Sequence, residues 1–304
     1  MIAQRKGNPT LEILTAAARG SYGVLAVIVY NVEQLTALVR AAEAKRSPLI
    51  IQLFPSTLIQ LPSLVFAVSA AAKIASVPIS VHLDHAQDEA QIRQCIEESP
   101  FDSIMVDMSH YEKEENLSKT RELAKLCHAN GIAVEAESGR INGDEDGIAG
   151  TGNLEGLEYS QTLLSYRNAD DILELLTTAA DVEDFIEVEI DMLAPSVGNI
   201  HGDYGARGPH LDMARLSSIS HQLKGRAELV LHGTNDFEPE LTKECIRAGV
   251  TKININKLIL QCWNDHLAAN AHKFSVTRLI DGGIAVLQPE IERWMDIVGS
   301  SGKA

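Results

Sequence analysis

Histidines and carboxylates recur at the ends of short apolar runs, and their spacing is what first suggests chemistry in this chain. Val77 to Val81 reads as a buried strand, and His82, Leu83, Asp84 and His85 follow it directly. His82 and Asp84 lie two apart and share one face of a strand. His85 comes where the chain begins to turn and strict alternation can fail. An imidazole beside a carboxylate suits a metal ligand with a proton donor next to it. Ile132 to Glu137 ends in two acids, Glu135 and Glu137. Met192 to Val197 runs into Gly198-Asn199-Ile200-His201-Gly202, and Glu228 to Leu231 runs into His232-Gly233. Three histidines, His85, His201 and His232, therefore each follow an expected strand, and Glu137 ends another. Four ligand-type side chains at four strand ends form the pattern of a metal at the mouth of a barrel. For any one of them taken alone, a polar strand end without a ligand is the alternative.

A zinc ion held by three histidines with one open position polarises a carbonyl or activates water. Asp84, beside a ligand, is then placed to give a proton. Glu145 lies in a long glycine-rich loop, Gly139 to Asn153, and is placed to remove a proton once that loop closes. A polarised carbonyl with an acid and a base is the equipment for abstracting a proton α to a carbonyl and making or breaking a C–C bond. Without a positioned base, the same metal suits hydrolysis. The Asp144-Glu145-Asp146 run also reads as a solvated loop, and Asp107 as a cap on the loop after its strand.

The elements that must carry these groups alternate along the chain. Strands are expected at Val24–Val29, Leu49–Phe54, the run ending at His85, Asp102–Met108, Ile132–Glu137, Met192–Val197, Leu229–Leu231 and Thr251–Asn256. Helices are expected at Leu11–Arg19, Val32–Ala44, Leu64–Ile74, Asp88–Glu97, Glu114–Ala129, Asp170–Ala180, Val182–Val188, Leu211–Leu223, Pro239–Ala248, Lys257–His272 and Pro289–Val298. Eight strand–helix units in 304 residues predict one α/β domain over residues 1–304, a (β/α)8 TIM barrel, which typically needs ~250 residues. It carries an extra helix at each end. Residues 139–181 form a long active-site loop and insertion, and loops of that length are usually functional or disordered.

Composition narrows the partners. The net charge of −16 argues against a nucleic-acid or anionic-membrane surface. The four cysteines show no C-x-x-C spacing, all fall in expected helices, and read as reduced thiols of a reducing, cytoplasmic compartment. The N-terminus lacks an apolar signal core, and no apolar run reaches the ~18 residues of a membrane span.

The motifs resemble those of the class II, zinc-dependent fructose- and tagatose-bisphosphate aldolases, from about Asn31 to about Asn256. Pro78 to Ala86 fits the family's first signature. Val134-Glu135-Ala136-Glu137-Ser138-Gly139 fits the second, with Ser138 at an aliphatic position and Asn142 at a glycine. Gly198 to Gly202 and Val230 to Gly233 resemble the remaining histidine motifs. The resemblance implies that His85, His201 and His232 hold one catalytic Zn2+, with Glu137 and Asp107 as secondary metal-binding or supporting acids. It implies that Asp84 serves the aldehyde oxygen and Glu145 the α-proton. Substrate contacts are implied at Asn31, Gly202, Gly233, Thr234, Asn235, Asn254, Asn256 and Lys257. A small-molecule carbonyl substrate and a homodimer or homotetramer follow from the same likeness.

The departures concentrate on phosphate. Thr234-Asn235-Asp236 stands where the family has glycine, serine, glycine, and Asn256-Lys257 where it has aspartate and threonine. Gly205 replaces an expected lysine and Phe54 an expected serine. A carboxylate and lost glycines both oppose a phosphate cradle, while Arg207 and Lys257 offer new anion contacts. The expectation is retained aldol chemistry on a substrate other than the usual ketose bisphosphate. The alternatives are a genuine fructose- or tagatose-bisphosphate aldolase, a metal-dependent hydrolase, and a catalytically silent barrel that binds.

Overall fold

The computed structural model describes residues 7–143 and 175–304. Eight parallel strands close into one barrel in chain order. They are β1 (Val24–Ile28), β2 (Leu49–Leu53), β3 (Ile79–Ala86), β4 (Ser103–Val106), β5 (Ala133–Ser138), β6 (Met192–Pro195), β7 (Glu228–Leu231) and β8 (Val250–Ile255). The outer helices are α2 (Val32–Lys45), α3 (Pro55–Gln60), α4 (Leu64–Ile74), α5 (Glu89–Glu98), α6 (Lys113–Ala129), α7 (Ala179–Glu187), α8 (Met213–Leu223), α9 (Pro239–Arg247), α10 (Lys257–Asn270) and α11 (Val276–Val298). Every strand is buried along its whole length, as a sheet covered by helices requires.

The barrel interior is layered. At its base, Val24, Ala26, Ile50, Ala133, Met192, Ala194 and Val230 pack on Leu11, Leu14 and Ala17 of an N-terminal helix, α1 (Pro9–Gly20). That helix stoppers the barrel. Asn8 caps it by accepting from the Leu11 backbone N–H at 3.1 Å, and donates to the carbonyls of Asp102 and Gly131 beyond. Above the apolar base lies a polar layer, and above that the mouth.

The expected strands and most expected helices are present within a few residues. Three places differ. Helix α3, absent from the expected helices, directly follows β2 with Pro55 at its start; proline at a first helical turn is favourable because its missing N–H would be unpaired there anyway. Residues 175–178 are not helical. Thr178 instead caps α7 through a reciprocal bond pair with Asp181, while 170–174 lie outside the described residues. Pro289 does not start the last helix but stands inside the 23-residue α11. Gly282 and Gly283 stand inside it as well. A Cβ on Gly283 would sit 2.5 Å from the Trp263 ring of α10, so the glycine permits close helix approach.

Candidate active site

The mouth of the barrel is built by a defect in β3. His82 pairs with Ser103, Leu83 with Ile104 and Ala86 with Val106, so Asp84 and His85 together oppose Met105 alone. A bulge of this kind re-aims side chains and is frequent beside active sites. His85 takes φ 50°, a left-handed conformation uncommon for a residue bearing a Cβ. The result is that Asp84 and His85, adjacent in sequence, both serve the same site.

His85, His201, His232 and Glu137 form a buried group whose potential ligand atoms all lie within 4.8 Å of one another. His85 Nε2 is 3.0 Å from His232 Nδ1, and His201 Nε2 is 3.5 Å from the same atom. The outward nitrogens of His85 and His232 are engaged by acids. His85 Nδ1 is 2.9 Å from Asp107 Oδ2, and His232 Nε2 is 2.8 Å from Glu135 Oε1. A carboxylate only accepts, so those two nitrogens carry protons, and in the neutral imidazoles that a metal requires the converging nitrogens are the ones left to bind it. Asp107 thus stands behind His85, itself held by the Ser109 hydroxyl at 2.7 Å and by Gln87 at 3.1 Å. Glu137 accepts from the Ile141 N–H through Oε1, while its buried Oε2 has no hydrogen-bond partner. Three converging imidazole nitrogens around an unsatisfied carboxylate oxygen fit a divalent cation.

The charges agree with that fit. Burial and the neighbouring Asp107 push Glu137 up to about 8. Burial disfavours the charged imidazole of His85, yet Asp84, Asp107 and Glu137 outweigh it and raise His85 to about 10. His201 is driven well below its ordinary value by burial and by the charge on His85. Asp84 and Asp107, both held ionised, therefore favour a positive charge at this position, as a bound cation would supply.

Asp84 sits one residue from the cluster. It accepts from Gln52 Nε2 at 2.8 Å, and Asn254 Nδ2 is 3.1 Å from both of its oxygens. Against the cost of burial, His85, His82 and Lys252 hold it well below the usual carboxylate range, so it is ionised. Phe54 lies buried beside the site, its ring 6.5 Å from that of His85.

The remaining expected residues among those described lie at the ends of β1, β6, β7 and β8 or in the segments that follow them. Thr234 is buried and its hydroxyl donates to the Asn254 carbonyl at 2.6 Å. Asn235 and Asn256 are buried, and Asn256 exchanges hydrogen bonds with the Tyr30 hydroxyl. A Cβ on Gly233 would meet the Ile200 carbonyl at 2.1 Å, so the loop after His232 packs tightly on the loop bearing His201. Gly202 has φ 86° in that same loop. Asn31 caps α2, accepting from the Gln34 N–H at 2.8 Å. Lys257 is half exposed and paired with Asp203 at 2.6 Å. Asp236 is exposed and accepts from the Tyr204 backbone N–H. Glu145 and the side chain of Arg207 lie outside the described residues.

Lys252 was missed in the sequence. It is fully buried on β8, two residues before Asn254, and pairs with Glu135 at 2.7 Å. The signal was a lysine in register with Asn254 on an otherwise apolar strand. His82 shares the interior face of β3 with Asp84. It is fully buried, 2.7 Å from the Ser103 hydroxyl, which in turn accepts from Thr10 of α1.

An eight-stranded parallel barrel with a histidine–carboxylate cluster at the carboxyl ends of its strands is the architecture of a barrel enzyme that works through a metal. Comparison with known proteins is specific. The description "Fructose-bisphosphate aldolase class-II" matches residues 8–303. A Coccidioides immitis protein, provisionally named a fructose-bisphosphate aldolase, is 42% identical over 98% of this chain and 96% of its own length. A Streptococcus pyogenes fructose-bisphosphate aldolase is 32% identical over 96% of this chain and 98% of its own. A Coccidioides immitis crystal structure, provisionally described as a fructose-1,6-bisphosphate aldolase, superposes with TM-score 0.89 at 43% identity, covering 98% of each chain. The chain belongs to the class II fructose-bisphosphate aldolase family and is an aldolase-type lyase.

Proposed function

We propose that this protein catalyses aldol and retro-aldol chemistry with one zinc ion held by His85, His201 and His232, Glu137 standing as a supporting acid. The convergence of three imidazole nitrogens on the unsatisfied Glu137 Oε2 carries this reading. When bound, the metal supplies a Lewis acid that polarises the donor carbonyl. Histidine-rich sites also accept cobalt, nickel or iron, so zinc is the preferred and not the sole candidate.

The chain's own groups divide the proton work. Asp84 is ionised and fixed by Asn254 and Gln52, so in cleavage it takes the proton from the hydroxyl that becomes the aldehyde. In synthesis it returns that proton. Glu145 exchanges the α-proton of the donor. Asn31, Gly202, Gly233, Thr234, Asn235, Asn254, Asn256 and Lys257 line the substrate side. A silent binding barrel is disfavoured because no ligand-type residue of the cluster is lost.

The substrate we favour is a carbonyl donor without phosphate at the family's phosphate position. Lys257, which stands where the family has a threonine of its phosphate site, is paired with Asp203, and side chains replace the bare amides of a glycine cradle. The names of the relatives favour a second reading, a ketose bisphosphate. The two are separated by binding of dihydroxyacetone phosphate against pyruvate or an unphosphorylated ketone at matched metal occupancy. Preference for the unphosphorylated donor is expected. Micromolar affinity for the phosphate ester, weakened by Lys257→Ala, would select the second reading.

A further inference from the structure

The polar layer beneath the mouth centres on one buried cation. Strand β8 carries an extra residue, Thr251, between the pairs Leu229–Val250 and Val230–Lys252. Beyond that bulge, Lys252 and Asn254 fall two apart and both reach the barrel interior, where their side chains touch. The Lys252 side chain is fully buried. An ammonium this deep persists only if its donors are satisfied and its charge is met. Nζ donates to Glu135 Oε2 at 2.7 Å and to Asn254 Oδ1 at 2.7 Å, and lies 3.5 Å from His82 Nε2.

Both acceptors pass the constraint upward. Glu135 uses its other oxygen on His232, 2.8 Å from Nε2, which leaves His232 Nδ1 facing His85 and His201. Asn254, with its carbonyl oxygen committed to the ammonium, presents its amide nitrogen to Asp84 and, at 3.1 Å, to His232 Nε2. An amide turned over would bring an oxygen against the Asp84 carboxylate and an N–H₂ against the ammonium, so neither partner tolerates the flip. One cation therefore holds the carboxylate that meets a ligand histidine on one side and the amide that meets the proton-transfer carboxylate on the other.

We propose that Lys252 is the positioning residue that couples the metal ligand His232 to the acid–base group Asp84, acting through Glu135 and Asn254 without touching substrate. The assignment rests on the aldolase reading of the site. It differs from a role as carbonyl-attacking amine, because Nζ is enclosed and engaged by Glu135 and Asn254.

The test uses full-length Lys252→Met and Lys252→Gln. The glutamine amide keeps two N–H donors for Glu135 and Asn254, whereas methionine has none. Zinc affinity is read by competition with a chromophoric chelator, independently of turnover. Lys252→Met should bind zinc ~10–100-fold more weakly, as loss of a group supporting a ligand histidine typically does. Its kcat should fall at least tenfold with KM nearly unchanged, and Lys252→Gln should recover most of both losses. Unchanged zinc affinity in Lys252→Met would overturn the proposal. If that variant does not fold, Lys252→Gln with wild-type melting and wild-type zinc affinity supports it, and the same melting with weakened zinc affinity overturns it. Reduction with borohydride in the presence of ketone, leaving an adduct on Lys252, would overturn it too. His232→Ala in the same titration separates the two levels. If it too leaves zinc affinity unchanged, the metal reading fails; if it alone loses affinity, only the role of Lys252 fails.

Discussion

Asp84 and His85 are neighbours in the chain and partners in the site, which regular strand geometry would forbid. The bulge against Met105 and the left-handed backbone of His85 reconcile the two. The sequence showed both residues because they end an apolar run, and it showed His201 and His232 for the same reason. It did not show that Glu135 meets His232 or that Lys252 meets Glu135, because those contacts cross the barrel and no local pattern encodes them. The division of proton work is testable at this scale. Asp84→Ala should retain metal and lose ~10²–10⁴-fold in turnover, the usual contribution of a general acid or base. It should still exchange the donor's α-proton with solvent, whereas Glu145→Ala should slow that exchange. Equal loss of exchange in both variants would refute the assignment.

At the scale of elements, what positions the site is mostly what closes the barrel. Helix α1 fills the base, and through Thr10 and Ser103 its hydrogen bonds reach His82 in the polar layer. The strands and long amphipathic helices were readable from periodicity. The two-glycine, one-proline stretch of α11 was not, since its helicity depends on packing against α10 and α2. The base also holds a titratable group with no part in the chemistry. Glu228, at the start of β7, is 8% exposed, bordering a groove of about 1350 Å³ between α1, α8 and α9. Burial pushes its carboxyl from 4.5 up to about 7, only partly offset by the Thr251 hydroxyl. The folded protein therefore holds a proton there that the unfolded chain releases between about 4.5 and 7. The stability tied to that proton is fully present below about 4.5 and is lost as pH rises through about 7. The loss is at most about 3 kcal/mol. Thermal melts of Glu228→Gln should match the parent at pH 4 and exceed it at pH 8. An unchanged difference between the two pH values would show that Glu228 does not titrate in that window.

At the scale of the whole molecule, an acidic chain folds into one barrel whose interior changes character from base to mouth. Apolar side chains close the bottom, a ring of paired charges around Lys252 occupies the middle, and imidazole nitrogens converge at the top. Among the described residues no helix is long and apolar enough to cross a membrane. The family and the fold were both legible in the sequence, because the motifs lie at strand ends and the strand–helix alternation was counted correctly. The substrate was not, because the altered residues after His232 and at Lys257 say what is missing more clearly than what replaces it.

The central claim is that His85, His201 and His232 together hold the metal on which the lyase depends. Metal content by mass spectrometry, measured after zinc loading and gel filtration of each single alanine variant, tests it most directly. The parent should carry one zinc per chain, and each variant should lose it while keeping the circular dichroism of a folded barrel, since the ligands stand at the mouth and not in the packed layers. Stoichiometric zinc retained by two of the three variants would contradict the claim.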